Sequence, residues 1–251
     1  MNFVTIFKHY LENVFQGRRA EAREVIFGAL DRGNDAAKLI KHVIWPAMDQ
    51  IDKLYRGHHI SLVVEHMATR INRTMADQLQ GVLPREPKTG KRMIMTCGHG
   101  ESEELGAQMM ADLFEAKGWS VWFVGSGVPD DELLTLVGQT KPDILCIYGA
   151  NPAGVPNIRK LIGLIREIGV CPQMQVLVAG GVFNRAEGLH EEVKADLFAQ
   201  DVVEALAVVE ENPDRVEKPD VLEPGRRHKR KNRKPIASPR TLNKLKELAA
   251  V

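Results

Sequence analysis

The chain has 251 residues, 44% hydrophobic and 27% charged, with a formal net charge of +1. That composition is that of an ordinary globular protein and excludes collagen-like, disulfide-scaffold and wholly disordered classes. No segment has the length and apolarity of a membrane span, and no positively charged leader precedes an apolar run, so a cytoplasmic protein is expected. Three scattered cysteines, Cys97, Cys146 and Cys171, lack metal-ligand spacing and suit buried thiols in a reducing compartment.

Residues 1–81 read as helices. Phe3, Ile6, Phe7, Tyr10 and Leu11 recur at helical spacing, as do the apolar residues of 21–30 and 36–44, with Gly33-Asn34 as a stop between them. A fourth helix is expected over 62–79, which makes a small bundle. Residues 82–90, with Pro84, Pro87 and Gly90, read as a linker. From Arg92 the pattern changes. Short apolar runs at 93–96, 121–124, 144–148, 175–179 and 197–198 alternate with amphipathic stretches such as 105–114 and 158–168. Strand and helix in alternation predict a parallel sheet with right-handed crossovers, here a flavodoxin-like α/β domain of five strands over 91–212. Residues 213–251 carry 12 Lys and Arg against 5 Asp and Glu, and Pro213, Pro219, Pro224, Pro235 and Pro239. This stretch reads as a basic, disordered tail.

Three glycine-bearing segments each follow a strand: Gly100–Gly106, Gly149-Ala150-Asn151 and Gly180-Gly181. In open parallel sheets ligands lie beyond the carboxyl ends of the strands, so all three fall on the ligand edge. The separations are 42 residues and 28 residues. In order and spacing they resemble the vitamin B12-binding domain family, which reads Asp-x-His-x-x-Gly, then Ser-x-Leu, then Gly-Gly at similar separations. The resemblance implies a cobalamin cofactor held at the sheet edge. Its histidine coordinates cobalt from below, and the nucleotide tail enters a slot lined by the second and third segments. Glu101 takes the acidic position, Gly100 and Gly106 the flanking glycines, and Gly180 and Gly181 the slot. The departures are Glu103 for the histidine, Gly149 for the serine and Asn151 for the leucine. A carboxylate is a poorer ligand for cobalt than imidazole. His99, at the same strand end, is the candidate substitute metal ligand.

The helical part extends the resemblance. In B12-dependent light sensors of the carotenoid-repressor type a helical cap carries Trp, nine residues, then Glu-His over the upper face of the cofactor. Tyr55, nine residues, then Glu65-His66 takes that form here. The histidine that follows the tryptophan in those sensors is replaced by Arg56, which cannot ligate. The resemblance implies a sensory or transcription-regulating photoreceptor that binds cobalamin, adenosylcobalamin included, and works through a transcription-regulator partner, with oligomerisation a further expectation. The alternatives are a corrinoid methyl carrier for methyltransferases, a haem-binding relative, and a ligand-free interaction module. No nucleophile–base pair, phosphate loop or hydrolase motif is present, which favours a binding protein over an enzyme. Seven of the nine residues Arg226 to Lys234 are basic, enough to neutralise nucleic-acid phosphates without reading sequence.

Overall fold

A computed structural model describes residues 2–98 and 104–216. The helical part comprises α1 (Phe3–Phe15), α2 (Arg19–Asp31), α3 (Ala36–Leu39), α4 (Trp45–Arg56) and α5 (Leu62–Gln80). Asn2, Asp35 and Ser61 start α1, α3 and α5 by accepting backbone N–H groups of the first turn. The stretch from Ala36 to Arg56 is one continuous helical path, because a π turn at Ile40–Ile44 joins α3 to α4. The turn accommodates Pro46, which lacks an N–H and would otherwise crowd the preceding turn. Trp45 N–H steps back to the carbonyl of Ile40, and the Ile44 carbonyl is taken by Asn72 Nδ2 at 3.0 Å. Tyr10 Oη donates to Asn72 Oδ1 at 3.0 Å, so this buried polar group is satisfied from both sides.

The sheet contains β1 (Arg92–Cys97), β2 (Ser120–Gly125), β3 (Ile144–Tyr148), β4 (Gln175–Ala179) and β5 (Leu197–Ala199), all parallel, in the order β2-β1-β3-β4-β5. The helices between and after them are α6 (Glu104–Ala116), α7 (Asp130–Thr140), α8 (Val155–Ile168), α9 (Gly181–Arg185), α10 (Leu189–Glu192) and α11 (Val202–Glu211). The five-stranded flavodoxin-like sheet behind a helical bundle is the expected fold. β3 and β4 are buried along their whole length because helices cover both faces, which is why they read as unbroken apolar runs.

Alternate residues divide the core. Ile94, Leu145, Ile147, Val176 and Val178 pack under α7 and α8. Met93, Met95, Cys146, Leu177 and Ala199 face α6 and α11, and this second cluster runs without a break into Ile6, Ile26, Leu39, Ile44 and Met75 of the bundle. Bundle and sheet therefore share one core. Residues 82–90 are strapped to the turn after α6: Leu83 is buried, Glu86 N–H donates to the Ala116 carbonyl at 2.7 Å, and Thr89 N–H to that of Gly118 at 3.0 Å. Cys97 and Cys146 are buried thiols and Cys171 is half-buried.

Asp214 and Arg215, at the start of the expected tail, are docked on the sheet domain. Gln175 Nε2 donates to the Asp214 carbonyl at 3.1 Å, and Arg215 donates to the Pro172 carbonyl at 2.9 Å and to Asp196 at 3.3 Å. Density of proline and charge hid this docking, which depends on Gln175 and Asp196, both distant in sequence. The segment Arg226–Lys234 lies outside the described residues.

Candidate functional site

The strand order reverses between β1 and β3, so a crevice opens at their carboxyl ends. β1 ends in Cys97 and Gly98, and Gly98 N–H donates to the Tyr148 carbonyl at 2.8 Å. β3 ends in Tyr148 and continues into Gly149, whose N–H donates to the Ala179 carbonyl at 2.8 Å. The Gly149 carbonyl accepts from Val182 N–H at 3.1 Å. Asn151 turns the chain into α8 by accepting from Ala153 N–H at 3.0 Å. On the far side of the crevice, Glu104 at the start of α6 accepts from the N–H and hydroxyl of Ser126, each at 3.1 Å.

Two glycines are demanded by close approach. Gly180 sits at φ +104°, and a Cβ there would overlap the backbone of Gly149. Gly106 is an ordinary helical residue, but a Cβ on it would overlap the hydroxyl end of the Tyr148 ring. Tyr148 is 4% exposed and meets Trp45 edge-on, with ring centroids 6.3 Å apart. The strand registers place Cys97, Tyr148, Ala179 and Ala199 side by side in the last row of this sheet face. One large ring therefore stands in a row of short side chains.

The bundle reaches this edge through α4. Arg185 of α9 donates to the Ala150 carbonyl at 2.5 Å and lies 3.7 Å from Asp52, which also holds Arg56 at 2.7 Å. Asp49, one turn before, keeps one side open to solvent. Partial burial and the charges of Asp52 and Asp201 nonetheless raise its carboxyl to about 6, against the opposing pull of a Trp45 hydrogen bond and Arg185. Burial, with Arg56 nearby, lowers the Arg185 guanidinium from its ordinary value, and Asp52 opposes this.

The structure brings Gly106, Gly149, Asn151, Gly180 and Gly181 to one edge, as the spacing predicts. His99, Gly100, Glu101 and Glu103 lie outside the described residues. Tyr55, Glu65 and His66 sit around the α4–α5 turn: Tyr55 is 38% exposed, Glu65 accepts from the Thr69 hydroxyl at 3.1 Å, and His66 lies 3.5 Å from Glu65 with most of its ring in solvent. Among the described residues no hydrogen bond or ion pair links these three to the glycine segments, and no cluster of His, Cys, Asp and Glu could hold a metal ion. The aromatic that the bundle does bring to the edge is Trp45. Sequence reasoning missed Trp45, Asp49, Asp52, Tyr148 and Arg185. The available signals were the Trp-Pro pair, the i, i+3 spacing of the two aspartates, and an aromatic directly before the second glycine segment.

Comparison with known proteins covers both modules. Residues 6–80 match one family model described as a B12 binding domain, and residues 91–209 match a second with the same description. A dimethylamine corrinoid protein of Methanosarcina acetivorans is 19% identical over 194 residues, covering 75% of this chain and 90% of that protein. A methanol–corrinoid protein of Methanosarcina barkeri is 22% identical over 189 residues, covering 73% and 72%. The solved monomethylamine corrinoid protein of Methanosarcina barkeri superposes with a TM-score of 0.75 at 17% identity, over 84% of this chain and 99% of that one, and shares the fold. Among the described residues no helix is long and apolar enough to cross a membrane. Both modules in family order, on the parallel sheet with its glycine-lined edge, show that the chain belongs to the B12-binding domain family, whose cofactor is cobalamin.

Proposed function

We propose that this protein is a corrinoid carrier that presents cobalamin to methyltransferase partners. The observation that carries the reading is the match, over about three quarters of the chain, to proteins named for dimethylamine and methanol corrinoid chemistry. The regulatory part of the sequence expectation has no such support: the relatives reported are corrinoid proteins of methylamine and methanol, and the aromatic of the sensor-like spacing, Tyr55, stands partly in solvent.

The residues fit the corrinoid in part. Gly149, Gly180 and Gly181 let backbone approach the edge closely, and Asp52, Arg185 and the Ala150 carbonyl hold the bundle over it. Trp45 and Tyr148 keep that edge apolar beneath the charged rim. Two features do not fit the family pattern. Glu103 replaces the lower imidazole in the sequence, and the Tyr148 ring packs against Gly106, the last glycine of the first segment. Bound cobalamin would supply the methyl-carrying cobalt. The protein's share is to hold the cofactor, shield it from water and offer it to partners.

The test is reconstitution of the full chain with hydroxocobalamin, followed by gel filtration and absorption spectroscopy. Corrinoid bands should co-elute with protein in stoichiometric amount, and a methyl-loaded sample should pass its methyl group to a thiol acceptor when a corrinoid-dependent methyltransferase is added. Failure to retain corrinoid sinks the reading. Retention with a light-driven change of oligomeric state in the adenosylcobalamin form, and no methyl transfer, would restore the sensor.

A further inference from the structure

We infer that the free edge of β2 is an interface: it pairs antiparallel with β2 of a second copy of this chain, centred on Trp122, and joins two five-stranded sheets into one. The inference goes beyond the carrier reading and does not depend on it.

β2 closes one side of the sheet, and among the described residues it is laddered to β1 alone. An open strand edge is a template for pairing, and proteins blunt such edges with lysine, proline, or a covering helix or loop. The six residues of β2, Ser-Val-Trp-Phe-Val-Gly, hold no charge and no proline. Trp122 is 36% exposed and Phe123 41%, on opposite faces of the sheet. Trp122 is in register with Ile94, on the α7 and α8 side of the core, and Phe123 with Met95, on the α6 side. The helices on both faces thus leave the outermost rings in solvent. The one irregularity is a bulge at Val124, which has no partner in β1 and ends the regular edge at Phe123.

This edge is complementary to itself. Ser120 N–H donates inward to the Lys91 carbonyl at 2.9 Å, so by alternation Ser120 and Trp122 turn their backbone groups to β1, and Val121 and Phe123 turn theirs outward. A two-fold axis through Trp122, perpendicular to the sheet, sets Val121 of each copy opposite Phe123 of the other. Every outward N–H and C=O of those residues is then paired. Trp122 meets its own counterpart in a non-hydrogen-bonded pair, with Cα atoms about 4.5 Å apart. The Val–Phe pairs fall on one face and the Trp pair on the other, and both kinds of pair stabilise sheets. No like charges meet. The chain's own tail fits less well: residues 213–251 carry 12 Lys and Arg against 5 Asp and Glu, and β2 offers no acidic group to them. At the exposures above each ring presents roughly 60–100 Å². The strand pair itself then covers roughly 500 Å² in all, short of the about 1,200 Å² of a stable complex, so the dimer is a reversible one with a Kd of about 10–100 µM. Antiparallel pairing points the carboxyl ends of the two sheets in opposite directions, so each copy keeps its crevice open to partners.

The experiment is sedimentation velocity of the full chain from about 1 to 200 µM, a range that spans the expected Kd. Wild type should pass from monomer to dimer. Val121→Pro removes an outward N–H and leaves the β1 ladder whole, and Phe123→Lys puts a charge on the edge; each should weaken association by about tenfold or more. Cysteine trapping reads the register, because a disulfide closes only when the Cα atoms are about 4.4–6.8 Å apart. With oxidised glutathione, Trp122→Cys should give a disulfide-linked dimer on non-reducing electrophoresis. Phe123→Cys should not, since it faces Val121 and its two copies lie diagonally, about 7–8 Å apart. Wild type, with Cys97 and Cys146 buried and Cys171 half-buried, sets the baseline. A monomer throughout the range, with no trapped Trp122→Cys dimer, overturns the proposal. So does a dimer that Val121→Pro and Phe123→Lys leave unchanged, or trapping of Phe123→Cys as fast as Trp122→Cys. Loss of association on truncation after Val216 also overturns it and gives the interface to the tail. Should Val121→Pro fail to fold, Phe123→Lys and the two cysteine variants still decide the question.

Discussion

Replacing Gly106 by Ala measures how tightly Tyr148 fills the sheet edge. On an open helix the change would stabilise the fold by about 1 kcal/mol, because alanine loses less backbone entropy. Here the new methyl would overlap the Tyr148 ring, which is held by Trp45 behind it. Overpacking of that kind costs about 1–3 kcal/mol, so the net prediction is a destabilisation of about 1 kcal/mol. In a Tyr148→Ala background the obstacle is gone. That variant should itself lose about 3–5 kcal/mol, as aromatic-to-alanine changes in cores do, but Gly106→Ala should then become stabilising. The coupling across the cycle is expected at about 2–3 kcal/mol. Gly180→Ala is the control. Its obstacle is the Gly149 backbone and its own φ of +104°, so its cost should be the same with or without Tyr148. Urea unfolding of the single and double variants gives these numbers directly. If Gly106→Ala and Tyr148→Ala add to within about 0.5 kcal/mol, the ring does not occupy the space assigned to it.

Three further outcomes are expected. Asp196 holds Arg166, Arg215 and the Val176 N–H at 2.7 Å, so Asp196→Ala leaves a half-buried guanidinium without its carboxylate and should cost about 3–5 kcal/mol in denaturant unfolding; a loss below about 1 kcal/mol would mean the cluster is solvated. Asp112 on α6 has one buried carboxylate oxygen without a partner among the described residues, and burial followed by the Glu115 and Asp77 charges raises it to about 7. Its folded value lies above the unfolded one, so the folded state gains stability below about pH 4 and loses it as pH rises through 7. Asp112→Asn should remove that slope and be the more stable protein at pH 8, by about 1 kcal/mol once its remaining exposure is discounted, and parallel pH profiles for the two would contradict this. Truncation after Val216 should leave the fold and corrinoid binding intact and abolish salt-sensitive association with DNA, whereas truncation before Pro213 also removes Arg215 and should lower stability; equal DNA binding by full-length and truncated chains across a salt series would dismiss the nucleic-acid role of Arg226–Lys234.

The sheet was legible because helices on both faces force unbroken apolar runs, and the runs at Ile144–Tyr148 and Gln175–Ala179 coincide with the strands. The bundle helices were legible wherever one face alone is buried. The helix at Trp45–Arg56 was not, because Pro46 is a local stop signal that a π turn and the Asn72 side chain, distant in sequence, overrule. The site divided along the same line. Glycine spacing is a local property of strand ends and placed Gly106, Gly149, Gly180 and Gly181 at the sheet edge where the structure has them. Trp45, Tyr148 and Arg185 gain their meaning from partners on other elements. Tyr148 read as the last residue of a strand, and the sequence held no sign of which face its ring would take.

The glycines themselves carry two explanations that spacing cannot separate. A glycine at a binding edge either admits a ligand or admits another part of the same chain. For Gly180 the neighbour is the Gly149 backbone, and for Gly106 it is the Tyr148 ring. Both contacts are internal, so both positions demand glycine for the folded chain alone. The glycine spacing of a corrinoid domain can thus be required by the packing of the chain itself. A motif match of this kind therefore bears on the fold and the cofactor class more directly than on the form in which the cofactor is held. At Gly106 the deciding residue lies one position ahead of the second glycine segment, where the Tyr148 ring, met edge-on by Trp45, leaves no room for a Cβ on α6.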